Sequence, residues 1–566
     1  MDTIQIMKSL NHQKKEKVLM EVFSFQERLL QRAHMADFPV CEKLKMMKII
    51  HNNVKEHFSM KLSKAGNATN LLAHERADRL YRNMGRFIND VIDEYLEILE
   101  VYCHNINMPH REDFQKAAST KKVEVVESHY PTEKALVIMT NYSENEIDDE
   151  FFTSNNIDLS KCSRYLIINV PGEVLHIDFI LNMMDVQRFS FPEAVCDSRA
   201  VFLKDIDNED IVFRSPYESY DTVLDFIYEC VKDEDLNIIF MTIYRTDSPE
   251  SEIVKLLCEA ATKYKKSVIV YVECTAKGNE EDNAKIVKLL QENNVKAFIG
   301  CDYKVHAKMF IALSSKSGRM YGHFSTGNYN LKSVGTYTDI QLITSDPSKI
   351  IPAINIFCDK IIKLPFGLTI DHGTKPNLED KASIWFSPKD LKNMMIGLIY
   401  QEIGKGTKGN IVIKVNSLAD PEIIAHLYTA VEAGVNVRLI VRSICLMEVS
   451  YHRNLRIESY CGRYLEHDRI YIFGSRTFIA SADLSFRNMH KRIEYLAEIT
   501  NEKDKEYIMD EIYRLYYRNG YVSFKQRHAI LGDHGWVTCC NYDTLEKAYD
   551  SVSKKTLMPE TLNIPC

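Results

Sequence analysis

Residues 237–344 and 410–500 set out one order of elements twice, and such a repeat confines the chain to two like α/β halves packed against each other. The first run reads strand "NIIFMTIYR", helix "ESEIVKLLCEAATKY", strand "SVIVYVEC", then "HAKMFIAL", "STGN" and "YTDIQLIT". The second reads "NIVIKVNSL", "PEIIAHLYTAVEAG", "VNVRLIVRS", then "EHDRIYIF", "ASAD" and "RIEYLAEIT". Strands alternating with helices predict parallel sheets with helices laid on them.

Each half also delivers one histidine followed two residues later by a cation: His306 with Lys308, and His467 with Arg469. Strand alternation puts such a pair on one face, and a pseudo-twofold packing brings both histidines into one cleft. A neutral imidazole is a nitrogen nucleophile at neutral pH. Phosphoryl transfer asks mainly for an aligned nucleophile and positive charge around the equatorial oxygens. Lys308, Arg245, Arg442 and the amides around Gly327 can supply that charge, while the second histidine protonates the departing oxygen. The competing reading makes each histidine a packed or solvated strand residue; the same pattern in both halves weighs against it.

The remaining chain divides by style. Residues 1–110 carry helical periodicity, as in "RADRLYRNMGRFINDVIDEYLEILEVY", and form a helical domain. Residues 111–195 are mixed and small. Two α/β domains are expected over 196–372 and 373–520, and 521–566 reads as an unpatterned tail. A net charge of -8 argues against nucleic-acid binding by bulk charge, although basic clusters can still line an interior channel. The 14 scattered cysteines read as reduced thiols, and no stretch has signal-peptide or membrane-spanning character, so a cytoplasmic protein is expected, with membrane association left open. The glycine-rich "IGKGTKGN" lacks phosphate-loop spacing and reads as a connector.

The stretches "SPYESYDTVLDFI", "TIYRT", "KVHAKMFIAL", "STGNYN", "TYTDIQLIT", "VRSIC", "YLEHDRIYIF" and "SADLSFRNMHKRIE", with "FSFQERLLQRA" and "IIHNNVKEHF" near the start, resemble type 1 polyphosphate kinase, a family of the phospholipase D superfamily. The resemblance implies a multidomain α/β fold: an N-terminal helical domain, a small mixed head domain that is shorter here, and two tandem phospholipase-D-like α/β domains. It implies reversible transfer of the terminal phosphate of ATP to inorganic polyphosphate through a phosphohistidine at His306, with His467 as general acid and phosphate ligand. Asn53, Tyr337 and Arg442 fall on positions that touch the nucleotide or its phosphates. Lys308, Asn328 and Arg492 read as phosphate contacts, and Asp339 and Glu494 as the carboxylates that orient the imidazoles, one per half. Arg245 and Lys277 match two arginines linked to magnesium, the second replaced here by lysine, which loses the bidentate fork. ATP or ADP, polyphosphate and Mg2+ are the implied partners, with no nucleic acid, and a homo-oligomer, dimer or tetramer, is expected.

Two other classes remain open at this stage: a phospholipase-D-like phosphodiesterase, and a non-catalytic polyphosphate-binding protein. The "HNN" of the helical domain speaks against the first, and the retained histidines and carboxylates against the second. His323 reads as structural. Near the start the family's tryptophan is absent, with Val22 and Phe23 nearby, and its asparagine is replaced by Gln26.

Overall fold

Spacings of three and four residues build the helices of the N-terminal unit, which spans His12–Glu193. On the helix Val40–Lys61, Leu44, Met47, Ile50 and Val54 are fully buried. On Asn67–Tyr102 the buried row is Ala77, Leu80, Tyr81, Met84, Ile88, Val91 and Tyr95. Strand Lys134–Thr140 then pairs antiparallel with Val123–His129 and parallel with Arg164–Asn169. Glu124 ties this sheet to the helices, accepting from Lys55 Nζ at 2.5 Å. The computed structural model describes residues 18, 21–184 and 201–539, apart from 36–37, 62–66, 103–108, 130–133, 160–163, 247, 275–279, 364–381, 449–451, 520–521 and 526–535. No described helix is long and apolar enough to cross a membrane.

The second unit, Ala194–Cys566, holds the repeat. Its first sheet runs Ile211–Ser215, Tyr337–Thr344, Met320–Ser325, Lys308–Leu313, Ile238–Ile243, Ser267–Val272, Lys296–Phe298. Its second runs Ile384–Ser387, Arg492–Ile499, Arg476–Ala480, Ile470–Phe473, Asn410–Leu418, Asn436–Cys445, Leu455–Tyr460 in the same order of roles. Both sheets are mixed, where the sequence predicts parallel ones. Strands joined through a helix, such as Ile238–Ile243 and Ser267–Val272, are parallel, whereas the short link between Lys308–Leu313 and Met320–Ser325 permits only an antiparallel hairpin. The stretch read as an unpatterned tail contributes Val522–Lys525, which pairs with Leu455–Tyr460, and Trp536–Cys539 beyond it.

Helices Asp221–Lys232 and Glu252–Thr262 cover one face of the first sheet, with Phe226, Ile227 and Leu257 set against Ile239, Met241 and Ile243. The opposite face belongs to a core shared by both halves. Phe240, Met309, Ile311 and Ile340 of the first half meet Val412, Ile470, Ile472 and Tyr495 of the second there. The helix after each last strand adds to the same core, through Ile350 and Ile354 of Pro347–Ile356 and Ile508 and Ile512 of Glu502–Asn519. The chain is thus a multidomain α/β protein with an N-terminal helical region and mixed sheets.

Candidate active site

The segments bearing the two histidines cross between the halves. Lys304–Val305 lies parallel to Arg492–Ile493 of the second half, and Leu465–Glu466 lies parallel to Tyr337–Thr338 of the first. The main-chain N–H groups of His306 and Ala307 both donate to Ile493 O at 2.9 Å. Each histidine therefore arrives at the carboxylate of the opposite half. His306 Nδ1 stands 2.9 Å from Glu494 Oε2, and His467 Nδ1 stands 2.8 Å from Asp339 Oδ1.

Strand alternation does not account for the cations beside them. The regular strands begin at Lys308 and Ile470, so both histidines sit in the breaks before them. Each cation folds back instead onto the histidine's own carbonyl: Lys308 Nζ donates to His306 O at 2.6 Å, and Arg469 Nη1 to His467 O at 2.7 Å.

The carboxylates are held by matching hydroxyls. Thr326 donates to Asp339 Oδ1 at 2.7 Å, and Ser481 to Glu494 Oε2 at 2.6 Å, while Asn488 Nδ2 donates to Glu494 Oε1 at 2.5 Å. Thr326 stands in "STGN" and Ser481 in "ASAD" at the same place of the repeat. Laying the two halves over each other in sequence would have found both; a search for charged groups misses them. Gly327 follows from this packing, since a Cβ there would lie 2.0 Å from Asp339 Oδ2.

A carboxylate accepting at Nδ1 fixes the tautomer that leaves a lone pair on Nε2. The two rings then differ. Among the described residues nothing hydrogen-bonds His306 Nε2, while Arg469 Nη1 lies against the His467 ring, 3.2 Å from Nε2 and 3.4 Å from Nδ1. Burial first, then Lys308, Arg492, Arg469 and His467, hold the His306 imidazole well below its ordinary value. Burial draws His467 down to about 4 against the pull of Asp339. The carboxylates separate likewise: burial pushes Glu494 up to about 7 against Lys308 and Arg492, whereas Asp339, although also buried, is kept below its ordinary value by His467 and the Thr326 hydroxyl.

Around the rings stand most of the expected residues. Tyr337 stacks on His467 with centroids 5.2 Å apart, and Tyr244 meets His306 edge-on at 4.8 Å. Lys308, Lys304 and Arg245 lie over the Tyr244 ring at 5.0, 5.3 and 5.7 Å. Arg492 Nη1 lies 3.8 Å from Glu494 Oε1. Arg442 is lowered by burial in the company of Tyr337 and Arg469. Among the described residues Asn328 Oδ1, in the glycine turn, is buried with no hydrogen-bond partner. His323 is remote in role: it is fully buried and bonded to Tyr329 and Gln341. Asn53 stands in the N-terminal unit, where its Nδ2 donates to Gln26 Oε1 at 3.1 Å, so the glutamine that departs from the family pattern is its direct partner. Lys277 lies outside the described residues.

Three family models match in chain order: polyphosphate kinase N-terminal domain over 19–122, C-terminal domain 1 over 201–361 and C-terminal domain 2 over 384–526. A polyphosphate kinase of Helicobacter pylori strain J99 is 37% identical over 307 residues, 53% of this chain and 43% of that protein. One from Staphylococcus haemolyticus is 31% identical over 382 residues, 64% of this chain and 50% of that one. The chain thus spans half or less of the length of the curated relatives it matches. The crystal structure of polyphosphate kinase from Porphyromonas gingivalis superposes with a TM-score of 0.68 over 94% of this chain and 97% of that one, at 20% identity, a likeness of fold.

Proposed function

The chain belongs to the polyphosphate kinase family, and from that premise we propose that it passes the terminal phosphate of ATP through His306 to the end of an inorganic polyphosphate chain, reversibly. The observation that carries the reading is the asymmetry of the imidazoles: Nδ1 of His306 is tied to Glu494 while, among the described residues, nothing bonds its Nε2, and the ring of His467 is covered by the Arg469 guanidinium.

The Nε2 lone pair of His306 attacks the terminal phosphorus as the bond to the bridging oxygen breaks, and that bond's electron pair leaves on ADP. His467 supplies a proton to the departing oxygen from Nε2, and for this the ring, which burial keeps neutral in the free protein, takes up a second proton as the negative triphosphate arrives beside it. The imidazolium that forms keeps its Nδ1 proton against Glu494, which balances the new charge. In the second step a terminal oxygen of polyphosphate attacks the same phosphorus, and the P–N pair returns to Nε2. Lys308, Arg245, Arg442, Arg469 and Arg492 surround the equatorial oxygens. Asn53 is assigned to the nucleotide and Tyr337 to its stacking beside His467.

The magnesium implied by the family has no all-protein cage among the described residues, and Mg2+ commonly sits on one or two carboxylates, water and substrate phosphates. Among the described residues no group of three His, Cys, Asp or Glu could hold one, and Arg245 is a cation whose side chain has no acceptor. Mg2+ on this reading travels with the triphosphate, and no step is drawn through it.

Incubation with ATP labelled in its terminal phosphate should leave an acid-labile, alkali-stable mark that His306→Ala abolishes. Label that persists in that variant rejects the assignment.

A further inference from the structure

We propose that Arg214 is a positioning residue that fixes His467 through the two carboxylates on either side of it; the proposal rests on the acid role given to His467 above. Arg214 is 1% exposed and reaches from its strand in the first half to carboxylates of the second. Its Nη2 donates to Glu466 at 2.5 Å, its Nε to Asp468 at 2.8 Å and its Nη1 to Glu511 at 3.3 Å. Lys414 Nζ reaches Glu466 at 2.9 Å and also pairs with Asp468.

The pseudo-twofold supplies a control within the same chain. Arg214 pairs with Ile340, next to Asp339; at the matching place Phe386 pairs with Tyr495, next to Glu494. Register gives Thr242 in the first half the place that Lys414 holds in the second, and the residues flanking His306 are Val305 and Ala307 rather than Glu466 and Asp468. Phe386, Val305 and Ala307 lie in one apolar core. Beside the first histidine, packing and two hydrogen bonds stand in place of the ion cluster: Val305 N–H donates to Glu273 Oε2 at 2.9 Å and the Thr242 hydroxyl to Ala307 O at 2.7 Å. Apolar residues of similar volume commonly equal or exceed a buried ion cluster in stability, so the charges around His467 answer some need other than cohesion.

That need is visible in how the two segments hang. The His306 segment is pinned by two main-chain bonds to Ile493 O. The N–H of His467 instead donates to Thr338 Oγ1 at 3.2 Å, and the same hydroxyl donates to Glu466 Oε2 at 3.1 Å. The anchor of His467 is thus a side chain whose orientation depends on Glu466, and the guanidinium fork sets Glu466 and Asp468 together. A point charge can hold one of them; the fork spans both.

The test is rapid-quench labelling of His306 from ATP in Arg214→Lys, Arg214→Met, His467→Ala and the double variant R214M/H467A. Arg214→Lys, which keeps the buried charge and decides the matter if the methionine variant does not fold, should keep KM for ATP within about threefold. Its labelling rate should fall about tenfold, and that of Arg214→Met about a hundredfold. In the double variant the loss should not exceed that of His467→Ala alone, because both changes remove one function. Arg214→Lys labelling at the unaltered rate overturns the proposal, as does a double variant that multiplies the two losses. Absence of label in the unaltered protein would instead sink the phosphotransfer reading and this proposal with it.

Discussion

At the scale of single residues, the behaviour of the His306–Glu494 pair should dominate the pH dependence. Burial raises Glu494 to about 7 and keeps His306 well below its ordinary value, so the pair takes up one proton as pH falls through about 7. The attacking form is neutral His306 with its Nδ1 proton on an ionised Glu494; a proton added to the pair occupies the acceptor that fixes this tautomer. The sign is therefore that kcat/KM for ATP, which reports the free enzyme, declines as pH is lowered through about 7. Glu494→Gln should lower the rate by roughly 10²–10⁴-fold and erase that limb, since an uncharged amide neither fixes the tautomer nor balances the imidazolium. A Glu494→Gln enzyme with normal rate and the same limb would contradict the pairing. Gly327→Ala should act on the other histidine: its Cβ would collide with the Asp339 carboxylate, displacing the partner of His467. The expected result is a folded protein, checked by its melting curve, with kcat reduced about tenfold or more.

At the scale of elements, the repeat and the site residues could be read from the chain, and the crossing of the halves could not. Strand and helix periods mark "NIVIKVNSL" or "PEIIAHLYTAVEAG" because regular elements leave a pattern. Lys304–Val305 and Leu465–Glu466 are two-residue strands, too short for any period, and their partners lie far away in sequence. Hence the sequence assigns one carboxylate to each half but not the exchange that sets His306 on Glu494 and His467 on Asp339. The same lack of pattern hides the breaks before Lys308 and Ile470, where strand alternation misplaces the histidines. Arg214 escaped notice because a lone arginine inside "IVFRSPY" carries no motif. Since the shared core draws on Phe240, Met309 and Ile311 from one half and Val412, Ile470 and Ile472 from the other, neither half can bury its apolar face alone. Residues 1–363 and 382–566 expressed as two chains should be insoluble singly and should co-purify as a complex that labels His306. Soluble, separately folded halves would show that the core is not shared as described.

At the scale of the whole molecule, a chain of net negative charge carries a cationic site. The chain carries a net charge of -8, yet Lys304, Lys308, Arg245, Arg442, Arg469 and Arg492 gather about the two imidazoles, and the Lys304 ammonium is drawn below its ordinary value by burial and by Arg492, Arg245 and Arg487 around it. A dense polyanion therefore meets weak repulsion far from the site and strong attraction inside it. At about 0.15 M salt the Debye length is about 8 Å, so the distant repulsion is largely screened while contacts within the cleft persist. What remains salt-dependent is the release of counterions when several phosphates settle on several cations. Kd for polyphosphate should rise steadily with salt, linearly on logarithmic axes, and Lys304→Gln or Arg492→Gln should each weaken binding and flatten that line. If neither variant changes the slope, the chain of phosphates does not run past Tyr244 and Glu494. Should the slope be near zero in the unaltered protein, the cationic centre is not where polyphosphate binds.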